Sequence, residues 1–349
     1  MNKKAFILLV AAASILWPAA PVWAQFANQA LLEIITPDAR SAGMADIGSA
    51  TTPDVFSQHW NVAKYAFAVD TGAAGLSYTP WMGTTNNYAS HLAYVAGYYK
   101  FGKHVVSASV RYMTDGESEY RDAGGQMYGS SAPAQFSIDA GYSHPLGKYF
   151  SVGAVVRYLS LPQFVETGEG RYSDGRTGAF AADLGVYFRY PSLARNEFAL
   201  GLTVKNMGSK VEFSDGNKQF LPMTMYLGSR YACFFAEKHG LAFAVEINKP
   251  LVPEDQTKSL FGGLFNSFEN NIKEWGISLG AEYSYTEHAF LRTGYHFGSA
   301  EYLYAAGSYV SVGAGMMWHR LTLDLSYQLN TSGVRSTSNI IRASLQYGF

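Results

Sequence analysis

The chain has 349 residues, 48% hydrophobic and only 15% charged, with 26 Lys and Arg against 27 Asp and Glu for a net charge of −1. That balance offers nucleic acid no basic surface, and the charge content lies far below the roughly 25% of an ordinary soluble domain. Cys233 is the single cysteine, which excludes an internal disulfide and reads as a small apolar packing residue.

In chain order, the first segment is a basic "MNKK", an apolar "AFILLVAAASILW" and then "VWA" with small residues at Val22 and Ala24. This is the pattern of a secretory signal peptide over residues 1–24, cut after Ala24. A membrane anchor fits less well, because Pro18 and Pro21 interrupt the apolar run. Beyond it no apolar run approaches the roughly 20 residues of a spanning helix.

Residues 25–70 do not alternate. "ITPDARSAGMADIGSATTPDVFSQHWN" is rich in small and polar residues, with turn formers at Pro37, Gly43, Gly48 and Pro53. It is too polar for a membrane and too varied for a flexible linker. The expectation is a plug folded into a lumen; a periplasmic arm that recruits a partner stays open as the alternative.

From residue 71 to 349 the chain reads as fourteen alternating segments: 72–80, 88–101, 104–114, 134–145, 150–161, 178–190, 197–206, 223–234, 240–248, 275–285, 289–297, 309–319, 321–330 and 339–349. Most approach the roughly 9–11 residues of a tilted membrane strand. In 321–330, Leu321, Leu323, Leu325, Tyr327 and Leu329 face one way; Thr322, Asp324, Ser326, Gln328 and Asn330 face the other. Very short connections, such as "GK" at 102–103 and "TEH" at 286–288, alternate with long ones at 115–133, 162–177, 207–222 and 249–274. Tight inner turns and long outer loops are the habit of an outer-membrane barrel, and closure leaves no backbone edge in lipid. Trp81, Trp275 and Trp318 fall at strand ends, as interfacial aromatics do. The fold class expected is all-β, a 14-stranded antiparallel transmembrane barrel with an N-terminal plug segment.

Ionisable residues on the polar face form a ladder. Arg111, Asp139, Arg157 and Asp183 fall on four consecutive strands, followed by Arg230 with Glu246, Glu282 with Arg292, and Asp324 with Arg342. Alternating signs point to a wall braced by neutralised charges, more than to a track for a charged solute. Five histidines, at 104, 144, 239, 288 and 319, sit near the tight turns with Lys103, Lys148 and Lys238. They read as an interfacial rim, with binding of lipid headgroups or a periplasmic partner as the sharper alternative.

Chemistry is sparse. "DAGGQMYGSS" has no following helix to make a phosphate cradle, and no Cys/His spacing suits zinc. No catalytic set and no cofactor is called, and the chain is not expected to be an enzyme. In the longest outer loop, "KSLFGGLFNSFENNIKEW" puts Leu260, Phe261, Leu264, Phe265 and Phe268 on one face of a short amphipathic helix. The ridge is either a lid over the barrel mouth or a docking surface for another protein.

The stretch "ITPDARSAGMADIGSATTPDVFSQHWNVAKYAF", followed by fourteen strands, resembles the PorV family of outer-membrane proteins of the type IX secretion system in Bacteroidetes. The likeness covers nearly all the chain after residue 24. One departure is Val62, where the family carries proline, and it bears on a single turn. The resemblance implies a barrel similar to the FadL group with its N-terminal hatch. It also implies a role: taking secreted cargo, through the cargo's C-terminal signal domain, from the SprA translocon to the PorU sortase complex with PorQ and PorZ. Lipopolysaccharide O-deacylation has also been linked to the family, and a FadL-like channel for hydrophobic solutes is the other alternative. The remaining expected partner is outer-membrane lipid.

Overall fold

The computed structural model describes residues 30–81, 90–114, 116, 118–121, 125–168, 171–191, 196–213, 216, 218–235, 238–252, 275–298, 307–331 and 340–349. Three short helices, α1 Leu31–Ile34, α2 Ala39–Ala42 and α3 Ser57–Trp60, and a 3-10 helix, Val62–Phe67, precede the first strand. The strands are β1 Gly72–Trp81, β2 Ser90–Phe101, β3 His104–Thr114, β4 Ser118–Arg121, β5 Met127–Ser131, β6 Ala134–Pro145, β7 Phe150–Gly168, β8 Arg171–Pro191 and β9 Glu197–Gly208. They continue as β10 Val211–Glu212, β11 Lys218–Gln219, β12 Thr224–Phe235, β13 His239–Pro250, β14 Gly276–Tyr285, β15 Ala289–Phe297, β16 Tyr309–Trp318, β17 Leu321–Asn330 and β18 Ile340–Gly348.

Fourteen of these close into one antiparallel barrel; β4–β5 and β10–β11 are separate two-stranded hairpins. The seam joins β1 to β18 with Ala73 opposite Gly348, and Gly72 and Phe349 exchange backbone hydrogen bonds of 3.0 and 2.8 Å. The tight connections and this seam share one end. Three outer connections carry more strand than the sequence indicates. β7 and β8 stay paired as far as Gly168 and Arg171, so 162–177 is mainly hairpin, and β4–β5 and β10–β11 lie within 115–133 and 207–222.

Exposure is inverted relative to a water-soluble fold. On β17, Leu323, Leu325 and Leu329 are 44–48% exposed, whereas Thr322, Asp324, Ser326 and Gln328 are at most 5%. Only hydrocarbon makes an apolar exterior of this kind stable. No helix among the described residues is long and apolar enough to cross a membrane; the strands provide the crossing.

Residues 30–68 contact the polar inner face of the strands over the barrel's length. Ala30 packs with Leu159, Leu161, Ala179 and Leu221 at the end with the long connections, and at the tight-turn end the Lys100 ammonium donates to the Ala68 carbonyl at 2.6 Å. Local capping shapes the path. The Asp38 carboxylate accepts from Ser41 N at 2.9 Å to start α2, and Asn61 Oδ1 accepts from Ala63 N at 3.1 Å to start the 3-10 helix.

Candidate functional site: the lumen and the outer rim

The segment fits because the wall gives way where the two backbones meet. A Cβ on Gly201 of β9 would overlap the Ser49 carbonyl, and one on Gly294 of β15 would overlap Met44 and Ala45. Glycine at these inward positions removes the side chain that would hold the segment off the sheet.

Two ionic networks then join segment to wall. In the first, Glu33 of α1 receives Arg111 Nη2 at 2.7 Å and Arg157 Nη1 at 3.0 Å. Arg111 also meets Asp139 at 3.1 Å, and Arg157 meets Asp139 and Asp183, each at 2.9 Å. All these side chains are buried. In the second, Arg40 of α2 reaches Asp54 at 3.0 Å and Glu282 at 3.3 Å. Glu282 also takes Arg292 at 2.8 Å, Arg292 holds Asp324 at 2.6 Å, and Arg230 binds Glu197 at 3.0 Å. Charges this deep are tolerable only when each is met by opposite charge and hydrogen bonds.

Two of the sequence-expected pairs are replaced. Arg230 turns to Glu197 on β9 rather than to Glu246, whose Oε2 accepts from Gly48 N at 3.2 Å, Ser49 N at 2.7 Å and Ser49 Oγ at 2.5 Å. Asp324 takes Arg292 rather than Arg342, which donates to the Thr36 carbonyl at 3.0 Å and to Gln328 at 3.1 Å. Register leaves both exchanges open, and the segment draws Glu246 and Arg342 away. Arg230 lies opposite Ala244 on one side and Ala199 on the other, and Arg342 opposite Ser326, so neither arginine directly faces an acid; Gly48 and Ser49 of the segment take Glu246 and Thr36 takes Arg342. Sequence reasoning missed Glu33, Arg40, Asp54 and Glu197 as members; for the first three, charges in a segment with no water-facing side were the available signal.

Burial also sets the protonation of groups on the segment. His59 lies against Arg111 at 3.1 Å and Lys205 at 3.3 Å. Burial and those cations hold its pKa well below the usual value. Burial pulls the Lys64 ammonium down to about 8, although it donates to Gly48 O at 2.7 Å and Thr51 Oγ1 at 2.9 Å. Burial, with Asp54 nearby, pushes Asp38 up to about 6. Among the described residues no group of three or more His, Cys, Asp or Glu could hold a metal ion.

A closed inside-out barrel with its interior occupied narrows the class to outer-membrane proteins, and one further match decides the family. The profile described as Type IX secretion system protein PorV covers residues 26–257. The chain belongs to this family.

Solved structures agree on the fold. The toluene transporter TodX of P. putida is 12% identical, with 91% of this chain and 99% of that one covered and a TM-score of 0.56. The Ralstonia pickettii toluene transporter TbuX is 13% identical over 91% and 99%, TM-score 0.54, and the monoaromatic hydrocarbon channel CymD 13% over 90% and 98%, TM-score 0.54. At such identities the likeness speaks for architecture alone. No curated protein matches the sequence. This PorV-family barrel resides in the outer membrane.

At its long-connection end the PorV-family chain raises the β4–β5, β7–β8 and β10–β11 hairpins above the wall, side by side in barrel order. The ridge of Leu260, Phe261, Leu264, Phe265 and Phe268 lies outside the described residues.

Proposed function

We propose that this protein is a cargo-binding component of type IX secretion, working at its outer rim rather than through its lumen. In this reading residues 25–70 are a permanent plug, and the charge ladder braces plug and wall together. Surface loops receive the C-terminal signal domain of a secreted protein leaving an SprA-type translocon and pass it to a PorU sortase complex with PorQ and PorZ. The observation that carries the proposal is the seating of Glu33 and Arg40 in two buried ionic networks. Withdrawing the segment would take Glu33 from Arg111 and Arg157 and Arg40 from Glu282, leaving each of these buried wall charges with one ionic partner fewer. A passage that must empty the lumen is therefore costly, while the outer hairpins take no part in these networks.

Removal of Leu260–Phe268 tests the loop assignment. Affinity purification from solubilised outer membrane should then lose proteins that share a C-terminal domain, while the barrel still assembles. Normal secretion and unchanged copurification would refute it. A second reading, a conduit for hydrophobic solutes, draws on the fold shared with channels named for toluene transport. It requires uptake of such a solute to fall on deletion of the gene, which the cargo reading does not.

A further inference from the structure

Two places on the lipid-facing side of the wall repeat one construction. At the β2–β3 turn Phe101 ends one strand, Gly102 and Lys103 make the turn, and His104 opens the next. Val105 pairs with Ser143 across β3 and β6; the next residues, His104 and His144, have rings 5.0 Å apart, and His104 Nδ1 lies 2.6 Å from the Tyr142 hydroxyl. Six strands further round, Phe235 ends β12, Lys238 precedes the strand and His239 opens β13. His239 pairs with Tyr285, their rings 5.3 Å apart, and its Nδ1 lies 2.7 Å from the Tyr283 hydroxyl. In both places the histidine bonds the tyrosine two positions before its cross-strand neighbour. In both, a lysine precedes it and a phenylalanine closes the previous strand.

An aromatic girdle needs only amphipathic rings; it has no need for a histidine bonded to a tyrosine hydroxyl with a lysine one position before it at each place. With Nδ1 engaged by a tyrosine hydroxyl, Nε2 is the ring nitrogen left for a ligand, and a donating hydroxyl places the proton there. The first site is the more cationic. Lys148 on the neighbouring turn stands 5.1 Å over the Tyr149 ring, and His144 Nδ1 is buried with no hydrogen-bond partner among the described residues. The histidine and tyrosine rings of both sites lie on the outward face at the end with the tight turns, the level of lipid headgroups in the inner leaflet.

We propose that Lys103–His104–Tyr142 and Lys238–His239–Tyr283 are two seats for the phosphate of a phospholipid headgroup. The lysine supplies charge, the imidazole N–H supplies direction, and the phenylalanine and second ring (His144 or Tyr285) border the glycerol and first methylenes. The proposal rests on the outer-membrane location and is independent of the cargo reading.

Native mass spectrometry of the intact barrel, delipidated and then titrated with phosphatidylglycerol, reads the occupancy. The wild type should retain one phospholipid per site. Lys103→Gln with His104→Phe should lose one, and the same exchange at 238 and 239 should lose the other. Heat-modifiable mobility on gels should stay unchanged, because both exchanges keep a ring at the rim. Tyr142→Phe and Tyr283→Phe provide milder versions that remove only the hydroxyl and should weaken retention at the same sites. Inorganic phosphate and diacylglycerol are the control arms. Retention that is equal in all variants would reduce the sites to an ordinary girdle and overturn the proposal. Displacement of the lipid by millimolar inorganic phosphate, or equal retention of diacylglycerol, would overturn the phospholipid assignment.

Discussion

Lys64 illustrates how single residues carry the interior. Its side chain is fully buried, and burial lowers its pKa from 10.5 to about 8. A base depressed in the folded state contributes stability that is complete above the unfolded value and is lost as pH falls through the folded one. Raising the pH from 7 to 10 should therefore strengthen the seating of residues 30–68, by about 3 kcal/mol for a shift of this size. Lys64→Met should flatten that rise, read as amide hydrogen exchange of the segment against pH. An identical slope in the variant would show that Lys64 keeps its charge in the fold by other means. Such residues were poorly legible in the sequence. Asp324 and Arg342 could be placed on the inner face by alternation alone, but their partners could not, since Arg342 meets Thr36 some 306 positions away. Cross-strand pairing was inferred from wall neighbours, whereas Glu246 and Arg342 answer to backbone groups of the segment inside.

Strands in contact with lipid were legible almost to the residue, and those above it were not. β17 reads cleanly from Leu321 to Asn330 because hydrocarbon enforces a period of two. The same chemistry ends at the headgroups. Beyond Leu161, β7 and β8 continue as a hairpin in water through Gln163, Ser173 and Asp174, where neither face must be apolar, so the pattern that marks a strand disappears. At the opposite end one tight turn is strained: Thr286 and Glu287 have φ of 53° and 59°, the conformation of a type I′ hairpin usually filled by Asn-Gly. A β-branched residue there is unfavourable by roughly 1–2 kcal/mol. Thr286→Asn should recover about 1 kcal/mol and raise the temperature at which the β-barrel loses its compact gel mobility. A lower midpoint would mean that the Thr286 hydroxyl, 2.7 Å from the Tyr285 carbonyl, outweighs the strain.

As a whole molecule, the barrel combines an apolar exterior, a charge-braced interior and hairpins concentrated over β3 to β12. Family membership places it in type IX secretion, and the shared fold of hydrocarbon channels shows that the same wall can serve another purpose. What occupies the middle decides whether this wall can conduct. Fourteen strands enclose a space that is either wet or filled; here the contacts of residues 30–68 run from Ala30 at one mouth to Ala68 at the other. Single-channel recording in planar bilayers addresses this directly. The intact protein should pass no steady current at voltages the bilayer withstands, and removal of residues 30–68 should open an ohmic pore. A stable conductance through the intact chain, equal to that of the deletion, would contradict the reading of a sealed scaffold that works at its surface.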